Sequence, residues 1–449
     1  MNATSKRRTA GREDTQTLGT PNGAVFRVSA VPSNVGSTIA KDRINGLPIE
    51  LLVSIFELDV ESQHVRRNAT LVLVCKRWWE VADSSPRLWS QIRLAPRSNI
   101  DSLILCTHLV KFCIKKSQEM PLDITLDFTS LRDPAARSLD IHNGVYEPTW
   151  DPVERTRGSL RLRLKELVDA LYVSPMARWR HFRLRFSSWM SEDLASSILA
   201  QFSAAAPMLE TLDISRGNPW EKISAPSEKM EDAIYCCPLL SSPKLSKFTT
   251  RFAIDPSRLL SGRHLLRSIG FAVTPTSFNC LPYYQGIHTL HLFADNLSME
   301  AQGQLKSGII LPHLSTLILG GMQGGVFLSL IDAPGLHCLR LSGTSALWCP
   351  ESELFGHIRR LEWDFYFYDY EADKTRNILR HIFRQCDQLV HFTTWGPYNS
   401  KASYTIMNFM QEILTEYPLR SLTSITYLRP YIAEFDSAPI QSVVAMAFV

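Results

Sequence analysis

The chain lacks the paired cysteines, the long apolar runs and the catalytic signatures from which an activity is commonly assigned. Its 449 residues hold nine cysteines, an odd number, with no C-x-x-C pair and no His/Cys spacing suited to zinc. That pattern argues against a disulfide framework and predicts reduced, mostly buried thiols in an intracellular protein. No run of about eighteen apolar residues occurs, which excludes a helical membrane span, and the N-terminus has no apolar stretch of the kind a secretory signal requires. Gly-x-Ser-x-Gly and His-Glu-x-x-His are both absent, and the carboxylates are scattered without a paired signature. Gly320-Gly321-Met322-Gln323-Gly324-Gly325 lacks the Gly-Lys-Ser/Thr ending of a phosphate loop and reads as a tight turn leaving a strand. His288 and His291 stand an odd number apart on a predicted strand, so they face opposite sides and cannot share a metal. No cofactor, no metal and no enzymatic activity are expected.

What is present is ordinary globular material, 45% hydrophobic and 20% charged, enough for a sizeable core. The net charge of +4 is localised. Lys6, Arg7, Arg8, Arg12, Arg27, Lys41 and Arg43 face only Glu13, Asp14 and Asp42 in the first 43 residues, and the remainder is balanced. No nucleic-acid face is implied outside this tail, and Lys6-Arg7-Arg8 reads as solvated charge. Residues 1–42, rich in Ser, Thr, Gly and Ala, cannot bury enough surface to offset ordering and are predicted to be disordered. A cytoplasmic and/or nuclear location is expected.

Residues 43–92 predict three short helices. Pro48 suits a first helical turn, and Glu50 stands near the positive end of the helix dipole. Leu51, Leu52, Ile55 and Phe56 make an apolar stripe, and Leu71, Val74, Cys75 and Trp78 repeat that spacing on a second helix. Pro86 to Trp89 forms a third. So small a unit cannot bury this much aromatic and aliphatic surface alone, so a partner is implied. Leu47-Pro48-x-Glu50-Leu51-Leu52, Ile55-Phe56, Val74-Cys75-Lys76-Arg77-Trp78 and Pro86-x-Leu88-Trp89 resemble an F-box. The linker from Glu57 to Thr70 is longer and more polar than in the short form, as in fungal F-box proteins. The resemblance implies that Leu47, Pro48, Ile55, Phe56, Val74, Cys75, Trp78, Leu88 and Trp89 dock a Skp-type adaptor, and through it a cullin.

Residues 93–178 predict connecting helices and a first strand. Leu105, Leu109, Phe112 and Cys113 share one helical face; residues 121–128 alternate as a half-buried strand. Residues 129–158 read as a loop, and Ser159 to Val173 as an amphipathic helix bearing Leu160, Leu164, Leu167, Val168 and Leu171. From Trp179 the unit apolar-x-x-apolar-x-apolar recurs, for example Leu314…Leu317-x-Leu319 and Leu336…Leu339-x-Leu341. Helices are predicted over Ser191 to Ala206, Lys374 to Cys386 and Tyr404 to Glu416. The recurrence resembles leucine-rich repeats, without their regular Asn or Cys ladder. The expected fold class is therefore α/β: a short helical F-box followed by a leucine-rich-repeat-like α/β solenoid over residues 179–449.

In such a unit the second and third apolar residues point inward and their neighbours outward. The outward list includes Arg251, His291, Phe293, Arg340, Arg360, Glu362, Asp364, His391 and Trp395, a mixture suited to gripping a protein segment. The aromatic and acidic stretch from Trp363 to Glu371 reads equally as a contact loop and as a packed strand end. By resemblance, the chain is expected to be the substrate-recognition adaptor of a Skp–cullin–F-box ubiquitin ligase, with an unknown protein substrate. Alternatives are an F-box scaffold outside ubiquitination, an enzyme assembled from distant residues, and a purely structural repeat scaffold.

Overall fold

The computed structural model describes residues 46–62, 73–96, 100–131, 150–172, 176–187, 190–217, 228–252, 254–259, 266–294, 297–321, 324–342, 353–364, 372–395, 412, 421–428 and 444–446. The chain divides into two units, Met1–Pro48 and Ile49–Val449. In the first, only Gly46 to Pro48 are described. The expected tail over 1–42 and helix over 404–416 fall outside the described residues, apart from Glu412.

The second unit opens with α1 (Ile49–Ser62), α2 (Lys76–Asp83) and α3 (Pro86–Trp89). Leu52 and Phe56, one turn apart, are fully buried, and Phe56 lies 4.9 Å from the Trp78 ring. Pro86 occupies the first turn of α3, where a missing N–H leaves no hydrogen bond unmade. Cys75 corrects the expected second helix: it is extended at φ −161°, ψ 167° and caps α2 from outside. A helix N-cap takes a β-region backbone, so the motif's Val-Cys-Lys bends here and does not run on.

α4 (Ile100–Lys116) buries Leu103, Thr107, Val110, Cys113 and Ile114. The predicted face was different, for Leu105 is 63% exposed and Phe112 also reaches solvent. Thr107 hides the true stripe from a hydrophobicity count; its hydroxyl donates to the Leu103 carbonyl at 2.9 Å, so the polar group is satisfied inside. α5 (Trp150–Tyr172) buries Leu160, Leu164, Leu167, Val168 and Leu171 as expected but begins inside the predicted loop. Pro152 stands in its first turn, where helices accept proline.

Beyond lie α6 (Glu192–Leu199), α7 (Glu228–Tyr235), α8 (Pro275–Asn279), α9 (Met299–Gly303) and α10 (Ala372–Gln385). Ser191 caps α6 by accepting from the Leu194 N–H, and this helix stops seven residues short of the predicted Ala206. Phe202 is nonetheless buried.

Each predicted copy of the apolar unit forms a strand. The strands are β1 (Gln91–Leu94), β2 (Leu122–Phe128), β3 (Trp179–Phe186), β4 (Thr211–Arg216), β5 (Lys247–Thr250), β6 (Ser268–Ala272) and β7 (Thr289–Phe293). They continue as β8 (Ile309–Ile310), β9 (Thr316–Gly320), β10 (Ile331–Asp332), β11 (Cys338–Ser342), β12 (Arg360–Asp364), β13 (His391–Trp395), β14 (Ser424–Leu428) and β15 (Val444–Met446). Among the described residues, all but β8 and β10 join one 13-stranded sheet whose spatial order is the chain order. Every pairing in it is parallel except β14 with β15. β8 and β10 pair with each other. The protein is thus mixed α/β with a large parallel sheet.

The sheet starts one strand earlier than predicted, since β1 follows Trp89 almost at once and overlaps the expected end of the helical region. Register explains the motif. From β1 to β14 of the large sheet one inward position falls in a single row, from Ile92 through Phe182, Phe248, Leu290 and Leu339 to Ile425, each at most 4% exposed. Burying such a side chain contributes about 1.5–3 kcal/mol, so a register slip would expose the row to water. The opposite face of the sheet carries the polar residues.

Candidate protein-interaction surfaces

Two surfaces remain once the interior is assigned. On the helical region, Ile49, Leu51, Ile55, Leu73, Val74 and Trp79 are exposed, with Val74 at 58%. Leu51 and Ile55 lie one turn apart on α1, beside the buried pair Leu52 and Phe56. Three residues expected to contact a partner are instead interior: Phe56, Leu88 and Trp89. The Trp89 indole N–H donates to the Ala82 carbonyl at 2.7 Å, and its ring meets Phe112 of α4 edge-on at 5.1 Å. These residues join the helices to one another and to α4, which leaves them no free surface. Cys75 and Trp78 are half-buried; in the other unit Leu47 is half-buried and Pro48 exposed. Sequence reasoning missed Ile49, Leu73 and Trp79 as exposed apolar residues, because motif letters do not state which way a side chain points.

The second surface is the polar face of the sheet, which has three zones. Over β2 to β4 its charges are paired within the sheet. Arg180 donates to Asp123 at 3.0 and 2.6 Å, Arg183 meets Asp213 at 2.8 Å, and Arg185 meets Asp127 at 3.6 Å. Asp127 also accepts from the Thr129 backbone N–H, fixing the turn after β2. On the far side, Glu362 of β12 lies between Arg360 at 2.5 Å and Arg340 at 3.8 Å, and the His391 Nδ1 stands 2.7 Å from the Ser424 hydroxyl.

Between them lies His291, in the row Gly270–His291–Ile318–Arg340. It keeps a little surface but is enclosed, and burial, then Arg251, Arg340 and Lys247, hold its pKa down to about 3. It is therefore a neutral imidazole near neutrality. Its ring lies 3.9 Å from that of Phe293. Phe293 corrects another expectation: although it points to the polar face, it is only 6% exposed. The Arg251 guanidinium lies over its ring, 4.6 Å from the centroid, and Gly320 beneath leaves room for it. Arg251 and His291 thus both lie against Phe293, with Arg340 and Glu362 across Ile318. Asp364 and Trp395 share a register row on β12 and β13, and their side chains lie outside the described residues.

Cys338, on the polar face, has its pKa raised by burial and then by Glu362, and burial pushes the Cys113 thiol up to about 12. Neither is poised as a thiolate. Among the described residues no group of three or more His, Cys, Asp or Glu could hold a metal ion, and no helix is long and apolar enough to cross a membrane.

With this geometry established, residues 44–95 match the family model described as F-box-like. A search among curated proteins finds no match to the chain. The chain therefore carries an F-box-like domain, a module that generally binds Skp-type adaptors, joined to a parallel-sheet α/β body.

Proposed function

We propose that the protein is a substrate-recognition adaptor of a Skp–cullin–F-box type ubiquitin ligase, with no catalytic residues of its own. The observation that carries this reading is the F-box-like match at residues 44–95, where apolar side chains stand exposed on helices anchored through Trp89 to the sheet-bearing body. Ile49, Leu51, Ile55, Leu73 and Val74 supply the apolar contacts to the Skp-type adaptor. The parallel sheet acts as a leucine-rich-repeat-like solenoid, each strand stacked on its sequence neighbour. Its polar face, with Arg251, Arg340, Arg360, Glu362 and His391, receives the protein substrate. Catalysis is by proximity: a substrate held beside the charged ubiquitin-carrying enzyme reacts at a raised effective concentration. The compartment we propose is the cytoplasm and/or nucleus.

Replacing Leu51 and Ile55 together by Asp tests the adaptor half. Each forfeits about 1.5 kcal/mol or more of apolar burial, so adaptor affinity should fall at least ~100-fold. Both side chains are exposed, so the fold should persist. Undiminished co-purification of a Skp-type adaptor would refute the assignment, and adaptor binding without any cullin would remove the ligase role.

A further inference from the structure

We infer that the surface for the Skp-type adaptor runs past the F-box onto α4. There Leu105, Leu109 and Phe112, flanked by His108, Lys111 and Lys115, would receive an apolar segment of the adaptor bordered by carboxylates. The inference rests on the reading of the exposed F-box residues as the adaptor surface. It adds to that surface an element outside the matched residues 44–95.

The helix is apolar on two sides. Leu103, Thr107, Val110, Cys113 and Ile114 face the interior. Leu105, Leu109 and Phe112 recur at i, i+4 and i+7, so they fall within about 60° of arc on the other side, in a row ~10 Å long. Leu105 and Phe112 are exposed and Leu109 is half-buried. One apolar side is enough to hold a helix on a body; a second, left in water, marks a surface that another molecule covers.

The row is continuous with the F-box surface. Val74 is exposed just before the Cys75 cap. Trp79, whose backbone N–H donates to the Cys75 carbonyl at 3.0 Å, stands one turn further and is 48% exposed. A turn beyond it, Asp83 pairs with Lys116 of α4. The Lys116 ammonium lies 5.9 Å from the centroid of the Phe112 ring, one turn back along α4, and that ring meets Trp89 edge-on. Apolar surface therefore passes from Val74 through Trp79 to Phe112 and Leu105, with the Asp83–Lys116 ion pair between the two helices. An occupant seated on Val74 reaches Leu105 along this route, and it gives a role to Trp79, an exposed indole that the F-box contacts leave unused.

Charge selects among occupants. His108, Lys111 and Lys115 recur at i, i+3 and i+7 along one flank of the row, all exposed. Among the described residues neither lysine forms an ion pair, and Glu119, the next carboxylate along the chain, exerts its charge on Arg178. A second copy of this chain docked row against row would set these cations against their own kind. A different protein with an acid-bordered apolar segment meets both the row and its flank.

The test titrates the full chain with a purified Skp-type adaptor by calorimetry. Leu105→Asp should weaken binding about tenfold and Trp79→Ala about fivefold, with thermal unfolding unchanged in Leu105→Asp. Leu105→Met should bind as the native chain does. Lys111→Glu with Lys115→Glu should slow association about fivefold at low ionic strength, an effect that ~0.5 M salt removes. Ile310→Asp, at an exposed apolar residue on β8, should change nothing. Native affinity in both Leu105→Asp and Trp79→Ala, beside lost affinity in Leu51→Asp/Ile55→Asp, would overturn the inference and leave the F-box reading standing. A fall in Tm in Leu105→Asp would mean that the chain itself covers the row, and a native dimer made monomeric by Leu105→Asp would mean that a second copy does. Either result overturns the inference. If no substitution in the F-box or α4 alters adaptor binding, both readings fall.

Discussion

Lowering the pH from 7 to 5 is expected to cost the native protein about 2 kcal/mol of stability through His291 alone. Its pKa falls from an ordinary 6.5 to about 3 because burial and then Arg251, Arg340 and Lys247 disfavour the imidazolium. The unfolded chain, with its histidine near 6.5, binds a proton over this range that the folded chain refuses, so stability rises with pH there. The contribution is fully present above the unfolded value and is lost progressively as pH falls from 6.5 toward 3. At pH 5 the gap is about 1.5 pH units at 1.36 kcal/mol each, hence the ~2 kcal/mol. The assay is urea denaturation of the native protein and of His291→Gln at both pH values. The variant cannot take up the proton, so the difference between the two pH-induced losses isolates this residue from every other titrating group. Arg251→Gln should narrow the difference, since it removes the largest charge acting on the ring. Equal losses in native and His291→Gln protein would refute the reasoning.

Gly270→Ala should destabilise the sheet by about 1–3 kcal/mol, because the new methyl meets Thr249 and the His291 backbone-proximal carbon at or below 3.0 Å; thermal unfolding reads this directly. Trp89→Ala should cost about 3–5 kcal/mol, since it empties a buried site and removes the indole N–H from the Ala82 carbonyl, which keeps the Ser85 backbone N–H. Trp89→Phe should cost about 1 kcal/mol for the hydrogen bond, plus part of the ring's burial. The paired loss of adaptor binding in Leu51→Asp/Ile55→Asp completes the set.

The strands were legible because their two inward residues alternate with outward ones, and a face buried in every copy repeats its spacing. β1 was not: Gln91–Leu94 is four residues long and follows the helical motif without a turn signal. The start of α5 was hidden by Pro152, a residue that breaks a helix in its middle but is harmless in its first turn. On the polar face, alternation placed Phe293 outward correctly but could not show Arg251 folding over it. In the helical region the motif letters name the anchors only as a group. Their division into interior (Phe56, Leu88, Trp89) and surface (Ile55, Val74) is set by packing, Phe56 against Trp78 and Trp89 against Phe112 of α4, which lies outside the motif.

Because each strand of the sheet lies beside its predecessor in the chain, the body can zip up in the direction of translation, every newly emerged strand finding its mate already in place. At each moment the most recent strand is an open hydrogen-bonding edge awaiting the next. A variant that slows one strand's arrival would leave that edge unguarded, and its damage would surface as aggregation during synthesis, before any change in the finished molecule.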